Sequence, residues 1–206
     1  MQTFKYAWTG FLILIFIAFS LWYGGRTTPL TVEEGTALLN EITELHIEAG
    51  NPTGTDGFRQ NMLDMIPKDD GREFYAINLE SLKPGNEARE ADAAYGRHVI
   101  PALLKRGSFP VYVGDRSGLM LGQYGEEIDR VAIVRYRSLR DMLEMNTDPA
   151  MIDGVPYKFA SLDHTEVFIS RPVVSAVQVK LLVGLTLVLL GIAGWYLPGL
   201  ISRVKA

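Results

Sequence analysis

EFYAINLESL, residues 73–82, alternates its side chains as a strand does and is rich in strand formers; a DDG turn signal at 69–71 precedes it. Working outward, residues 86–106 carry Ala91, Tyr95, Val99, Ala102 and Leu103 at helical spacing. Pro101 is expected to kink that helix or sharpen its last turns, and Gly107 to stop it. FPVYVGD (109–115) and RVAIVRY (130–136) read as strands, with GLMLGQY (118–124) continuing the first of them after a turn. Ser138 caps a helix bearing Leu139, Met142, Leu143 and Met145, and HTEVFIS (164–170) is a final strand.

The order from residue 73 is strand, helix, strand, strand, helix, strand. That is the βαββαβ order of an α+β, ferredoxin-like domain, taken here as 73–172. Helices cover one face of such a sheet, and the other must meet a second surface. In RVAIVRY both alternations are largely apolar, Val131 and Ile133 on one and Ala132, Val134 and Tyr136 on the other. A half-solvated strand would alternate with polar residues, so both faces of this one are expected to be covered. Either a second sheet or the N-terminal helices can supply the second cover.

Those helices form an extension, 27–72. GGRTTPL (24–30) is a linker, and Thr31 with Glu34 makes a capping box. Leu38, Ile42, Leu45 and Ala49 continue it as a helix over 32–49, with Gly50 at its C-terminal stop. NPTGTDG (51–57) is a loop, and Phe58, Met62, Met65 and Ile66 line a shorter helix that Pro67 ends.

The two ends are of a different kind. Residues 7–23, AWTGFLILIFIAFSLWY, contain no charge and cover about 26 Å as a helix. Trp8, Trp22 and Tyr23 sit where interfacial aromatics belong. Bulky Leu21, Trp22 and Tyr23 occupy the exit of this segment, where a cleaved signal peptide needs small residues. Residues 181–201, LLVGLTLVLLGIAGWYLPGLI, form a second uncharged run between Lys180 and Arg203, with Gly184, Gly191 and Gly194 permitting close helix contact. Two membrane-spanning anchors follow, 1–26 and 173–206, in contact with the lipid bilayer. Lys5 and the terminal amine tilt the charge balance toward cytoplasmic termini and an extracytoplasmic domain, in a bacterial inner (plasma) membrane.

All 24 acidic residues lie between these runs, and only Lys5, Lys180, Arg203 and Lys205 of the 20 basic ones lie outside 24–177. The middle therefore has 16 basic against 24 acidic residues, a net −8. That charge argues against nucleic-acid binding. With no cysteine, disulfides, thiolate metal sites and cysteine nucleophiles are excluded.

The runs FYAINLESL, EADAAYGRHVIPALLKRG, FPVYVGD, EIDRVAIVRYRSLRDMLEMNTDP and YKFASLDHTEVFI together resemble the small dimeric α+β-barrel proteins, in particular the uncharacterised families near the antibiotic-biosynthesis monooxygenases. The resemblance rests on Asn78 with Leu79, on Ala94, Tyr95, Arg97, Pro101, Leu103 and Gly107, and on Asp129, Arg130, Val131, Tyr136 and Ser138. It implies a homodimer whose two sheets pack face to face, and it implies no particular reaction. This chain departs from that pattern in its terminal anchors and in Lys158, where an arginine is usual before the last strand.

No Walker loop, HExxH, GxSxG or dinucleotide fingerprint is present, and His46, His98 and His164 share no metal-ligand spacing, so no metal is expected. The best candidate site lies between the sheet and the helix at 86–106. Asn78 is a polar residue at the end of an apolar strand, Tyr95 and His98 share a helix face, and Tyr136 ends its strand. An amide, two phenols and an imidazole around an apolar cavity could bind a small planar or carbonyl ligand and move a proton. The alternative is that Asn78 satisfies local backbone groups and the tyrosines are core with a wet hydroxyl. Arg135, Arg137 and Arg140 are expected to pair with Asp141, Glu144 and the acidic surface. Two functions remain open at this point: a tethered small-ligand domain, with cofactor unspecified, or a non-catalytic assembly module.

Overall fold

A computed structural model describes residues 2–24, 28–52, 57–173 and 179–204, with side chains described as far as Tyr196. Parts of the expected linker (25–27) and loop (53–56), and Lys205, lie outside the described residues. The chain divides into two compact units, Met1–Gly24 with Val173–Ala206, and Gly25–Pro172.

The first unit is a pair of helices, α1 (Gln2–Gly24) and α7 (Val179–Val204), both long and apolar enough to cross a membrane. As numbers rise along α1 they fall along α7. A Cβ on Gly194 would collide with Trp8 Nε1, one on Gly191 would lie 3.7 Å from Leu12, and one on Gly184 3.6 Å from Phe16. The three glycines thus form the groove that takes α1, and the pair is antiparallel. Trp8 donates to the Leu190 carbonyl at 3.2 Å, Trp195 to Thr9 Oγ1 at 3.0 Å, and Thr186 to the Leu182 carbonyl at 2.8 Å. Satisfying polar groups within the chain is what a hydrocarbon solvent demands. The outward faces, among them Phe11, Leu14, Leu182 and Leu189, are exposed and apolar.

The second unit is α+β. Its elements are α2 (Val32–Glu48), α3 (Phe58–Met65), a 3-10 turn (Ile66–Lys68), β1 (Phe74–Leu82), α4 (Asn86–Lys105), β2 (Phe109–Asp115), β3 (Arg130–Tyr136), α5 (Leu139–Asn146), α6 (Pro149–Ser161) and β4 (Leu162–Ser170). The four strands form one antiparallel sheet in the order β2-β3-β1-β4. α2 starts in the capping box of Thr31 and Glu34. It ends as expected at Gly50, whose positive φ of 71° lets the Asn51 and Gly50 amides reach the His46 and Ile47 carbonyls. Gly107 ends α4 in the same way, through Ser108 to Leu103 and Gly107 to Leu104.

Two expectations are corrected. Residues 118–124 form no strand: Met120, Leu121 and Tyr124 are almost fully exposed in a turn-rich connection, because no described strand pairs with them. A further helix, α6, stands between β3 and β4. Asp148 caps it and Pro149 opens it, while Gly154 and Pro156 inside it mask its helical character in sequence.

The register sorts the sheet into faces. Phe74, Ala76, Asn78 and Glu80 of β1 stand beside Tyr136, Val134, Ala132 and Arg130 of β3 and point toward the helices. One buried cluster joins Phe74 to Leu39, Ile42, Ile66, Leu139 and Leu143 of α2, the 3-10 turn and α5. Another joins Ala102, Leu103, Met145, Met151 and Val155 under Val134 and Tyr136. Burying each large aliphatic side chain contributes about 1.5–3 kcal/mol. α2 and α3 therefore extend the helical layer past the Phe74 end of the sheet, and no described helix of this unit packs on the opposite face. Ile77, Leu79, Val131 and Ile133 on that open face belong to neither cluster, and Tyr112 and Phe168 beside them are 54% and 47% exposed.

Candidate functional site

Beneath α4 and α6, the helix-covered face of the sheet turns polar at one end. Glu80, 5% exposed, accepts from Arg130 Nε at 2.6 Å, and the same guanidinium forks onto Asp92 of α4 at 2.7 and 2.8 Å. Hydrogen bonding to Asp92, opposed by burial and reinforced by Glu80, holds Arg130 charged. This bridge ties β1, β3 and α4 into one piece and occupies both carboxylates.

α4 and α6 run antiparallel over that piece, in rungs one helical turn apart. Gly154 meets His98, where an added Cβ would lie 3.0 Å from the His98 Cβ. One turn toward the sheet end, Lys158 Nζ sits over the Tyr95 ring at 5.9 Å from its centroid. A turn further lie Ser161 and Asp92, and both line an open cavity of about 590 Å³ together with Leu82, Gly85, Ala88 and Asp129. Tyr95 and Lys158 are thus each three residues inward of a residue on the cavity wall.

The polar groups of this layer are incompletely used. The side chains of Tyr95, Tyr136 and Lys158 make no hydrogen bond or ion pair with any described residue. Thr165, directly across from Glu80 on β4, has a buried Oγ1 with no partner, the only such buried side-chain atom among the described residues. Burial pushes the Tyr95 phenol up, with Glu80 and Asp92 adding to the rise and Arg130 opposing it. Burial likewise raises Tyr136, and Tyr95 adds to it. Burial pulls the Lys158 amine down from its ordinary value, and attraction to Glu80 offsets part of that.

Of the four residues expected to form a site, Tyr95 and Tyr136 meet in this layer. Asn78 lies on the same face but spends its amide hydrogens on the Ala76 and Ala132 carbonyls, at 3.3 and 3.0 Å. His98 is turned to α6 and stacks on Tyr157 at 5.5 Å. Sequence reasoning passed over Glu80, Asp92, Arg130, Lys158 and Thr165 as site residues. One signal was legible: Glu80 falls on the same alternation as Phe74 and Ala76, so its charge had to point inward.

The three arginines are taken up in structural pairs. Arg135, 2% exposed, binds Glu73 and the Gly107 carbonyl. Arg137 pairs with Asp141, and Arg140 with Glu34. His46 is buried between the Asn146 carbonyl and Asn51. No cluster of metal-ligating side chains occurs among the described residues.

No family model matches the chain, and no curated protein matches it. Solved structures do match. The methylated RPA0582 protein is 25% identical, with a TM-score of 0.52 over 61% of this chain and 96% of that one. The RPA0582 protein of unknown function from Rhodopseudomonas palustris is 24% identical, with a TM-score of 0.53 over 61% and 97%. An uncharacterized NIPSNAP domain protein from Burkholderia xenovorans is 11% identical, with a TM-score of 0.38 over 50% of this chain and 96% of that one. The protein is an α+β protein with two helices apolar enough to span a membrane. It is similar in fold to RPA0582, which is matched almost whole by part of this chain.

Proposed function

We propose that this chain is a membrane-anchored, ferredoxin-like domain that binds a small polar organic molecule between its sheet and helices α4 and α6. One observation carries the reading: Thr165 Oγ1 is buried without a partner across from Glu80, in the layer that also holds the half-buried side chains of Tyr95, Tyr136 and Lys158. Such a group costs free energy unless something bonds to it. The strand order β2-β3-β1-β4, with one helical crossover between β1 and β2 and two helices between β3 and β4, supports the ferredoxin-like assignment. The antiparallel α1–α7 pair supports two spans with both ends of the chain on one side of the bilayer. The flanking charges favour the cytoplasm of a bacterial cell for that side. The test is thermal unfolding of the detergent-solubilised protein against a metabolite panel. A ligand of the native state raises the melting temperature, and Tyr95→Phe with Lys158→Met should abolish the rise. A panel that stabilises wild type and this double variant equally would end the reading.

A second reading rests on the open face. Ile77, Leu79, Val131 and Ile133 form an apolar strip that no described helix covers, and we propose that a second copy packs there as a homodimer. Val131→Glu should then halve the hydrodynamic mass while the tyrosine circular dichroism stays native. Val134→Glu, on the helix-covered face, should unfold the domain instead.

A further inference from the structure

We infer that the free edge of β4 pairs with the same edge of a second copy, antiparallel and centred on Phe168, so that the two sheets become one continuous sheet.

The sheet has two edges, and they differ. β2 is blunted: Pro110 removes a donor, the register shifts between Pro110 and Tyr112, and Gly114 follows. β4 keeps unbroken register with β1 from His164 to Ser170, and its one irregularity lies before that, at Asp163. It contains no proline, lysine or glycine, and its two carboxylates, Asp163 and Glu166, both precede Val167. Its outer side makes no backbone hydrogen bond with any described residue. Nor does the helical layer overhang it. Val167 is on the helix-covered side and Phe168 on the open side, and each is 47% exposed. An unprotected edge of this kind is a template for another strand.

The sequence of the edge selects the occupant. A strand paired antiparallel with its own copy has a two-fold axis at one residue position. Centred on Phe168, that residue faces Phe168 of the second copy, Val167 faces Ile169, and Glu166 faces Ser170. Apolar side chains meet apolar ones, and the one charge meets a short hydroxyl side chain; such cross-strand pairs are the unit of sheet stabilisation. Neighbouring registers are poorer. Centring on Glu166 sets two carboxylates opposite each other, and centring on Val167 sets Glu166 against Phe168. Centring on His164 or Thr165 draws the irregularity at Asp163 into the ladder. An unrelated peptide has no reason to find β4 matched to itself, so the self-match points to a second copy.

The two-fold axis stands upright through the joined sheet. Both helical layers then lie on one side and both open strips on the other. The contact uses none of Ile77, Leu79, Val131 and Ile133, so it goes beyond the open-face packing proposed above and does not depend on it. A ladder from Glu166 to Ser170 is short, but the proposed anchors hold the copies in one bilayer and raise their effective concentration.

The experiment is disulfide trapping of the full chain in phospholipid vesicles under mild oxidation, using single cysteines in a chain that has none. Directly opposed residues stand about 4.5–5.5 Å apart, within reach of a disulfide, so Phe168→Cys should give a covalent dimer about fivefold or more faster than Val113→Cys. Val113 is 57% exposed on the opposite edge. The register is read from a second site: added to Phe168→Cys, Ser170→Lys should speed trapping and Ser170→Glu should slow it, each about twofold or more, because both lie opposite Glu166 of the second copy. Glu166→Lys should reverse that order. Val131→Glu, which tests the open-face packing, should leave the trapping rate unchanged. Trapping of Phe168→Cys no faster than Val113→Cys, in protein with native tyrosine circular dichroism, overturns the inference and leaves the edge to a strand of another protein. Fast trapping that ignores the sign of the charge at position 170, or that Val131→Glu abolishes, overturns it as well.

Discussion

Glu80 and Arg130 are cross-strand partners on β1 and β3, and their side chains close the same pairing with a 2.6 Å hydrogen bond over a buried surface. The guanidinium then reaches up to Asp92, so one residue fixes the spacing between sheet and α4.

Arg130→Leu should therefore cost far more than a surface pair would. It leaves Glu80 buried and uncompensated, a loss of about 3–5 kcal/mol. Urea unfolding followed by tyrosine circular dichroism measures it. Adding Glu80→Leu and Asp92→Leu to Arg130→Leu should recover much of the loss, and an unchanged midpoint in the single variant would contradict the bridge.

Tyr95 and Tyr136 set an alkaline limit. Their phenols have folded values raised above the ordinary value near 10. Such groups contribute stability that is intact below the ordinary value and is lost as pH rises through the folded one. Absorbance at the phenolate band should show the exposed tyrosines ionising first. These two should follow later or only on unfolding. Tyr95→Phe should remove part of the late phase.

Asp148 governs the acid side. Burial alone would raise its carboxyl, yet hydrogen bonds from Lys105, Arg106 and the Ala150 amide outweigh that and hold it below its ordinary value. Its contribution is present above the ordinary carboxylate range and is lost as pH falls through the depressed value. Asp148→Asn should flatten the acid limb of the stability profile. Because Asp148 also caps α6, Asp148→Ala should cost about a further 1 kcal/mol at neutral pH.

The helix pair can be checked with cysteines, since the chain has none of its own. Leu12→Cys with Gly191→Cys should cross-link within one chain under mild oxidation. Leu14→Cys with Gly191→Cys should not, because Leu14 is 65% exposed on the outward face. Gly194→Ile should weaken the first cross-link by pushing Trp8 away.

How far the sequence could be read depended on whether a signal was local. The capping box at Thr31, the glycine stops at Gly50 and Gly107, and the alternation of RVAIVRY are local, and the structure places an element at each. α6 was hidden because Gly154 and Pro156 are poor helix formers, and Gly154 is needed for the approach of His98. The site was half legible. Tyr95 and Tyr136 carry periodicity, whereas Lys158 and Thr165 become neighbours of Glu80 only through the strand order and the α4–α6 crossing, which no short window contains. His98 shares its helix face with Tyr95, yet one turn along that face it meets another helix rather than the sheet.

The antiparallel packing of α1 against α7 also has a topological effect. It ties together the two ends of the segment Gly25–Pro172, so the domain unfolds as a closed loop rather than a free chain. A cross-link around about 150 residues removes denatured-state entropy worth up to about 5 kcal/mol. A noncovalent clasp delivers as much of that as its own stability allows. Cutting the clasp should therefore weaken the domain without breaking a single contact inside it.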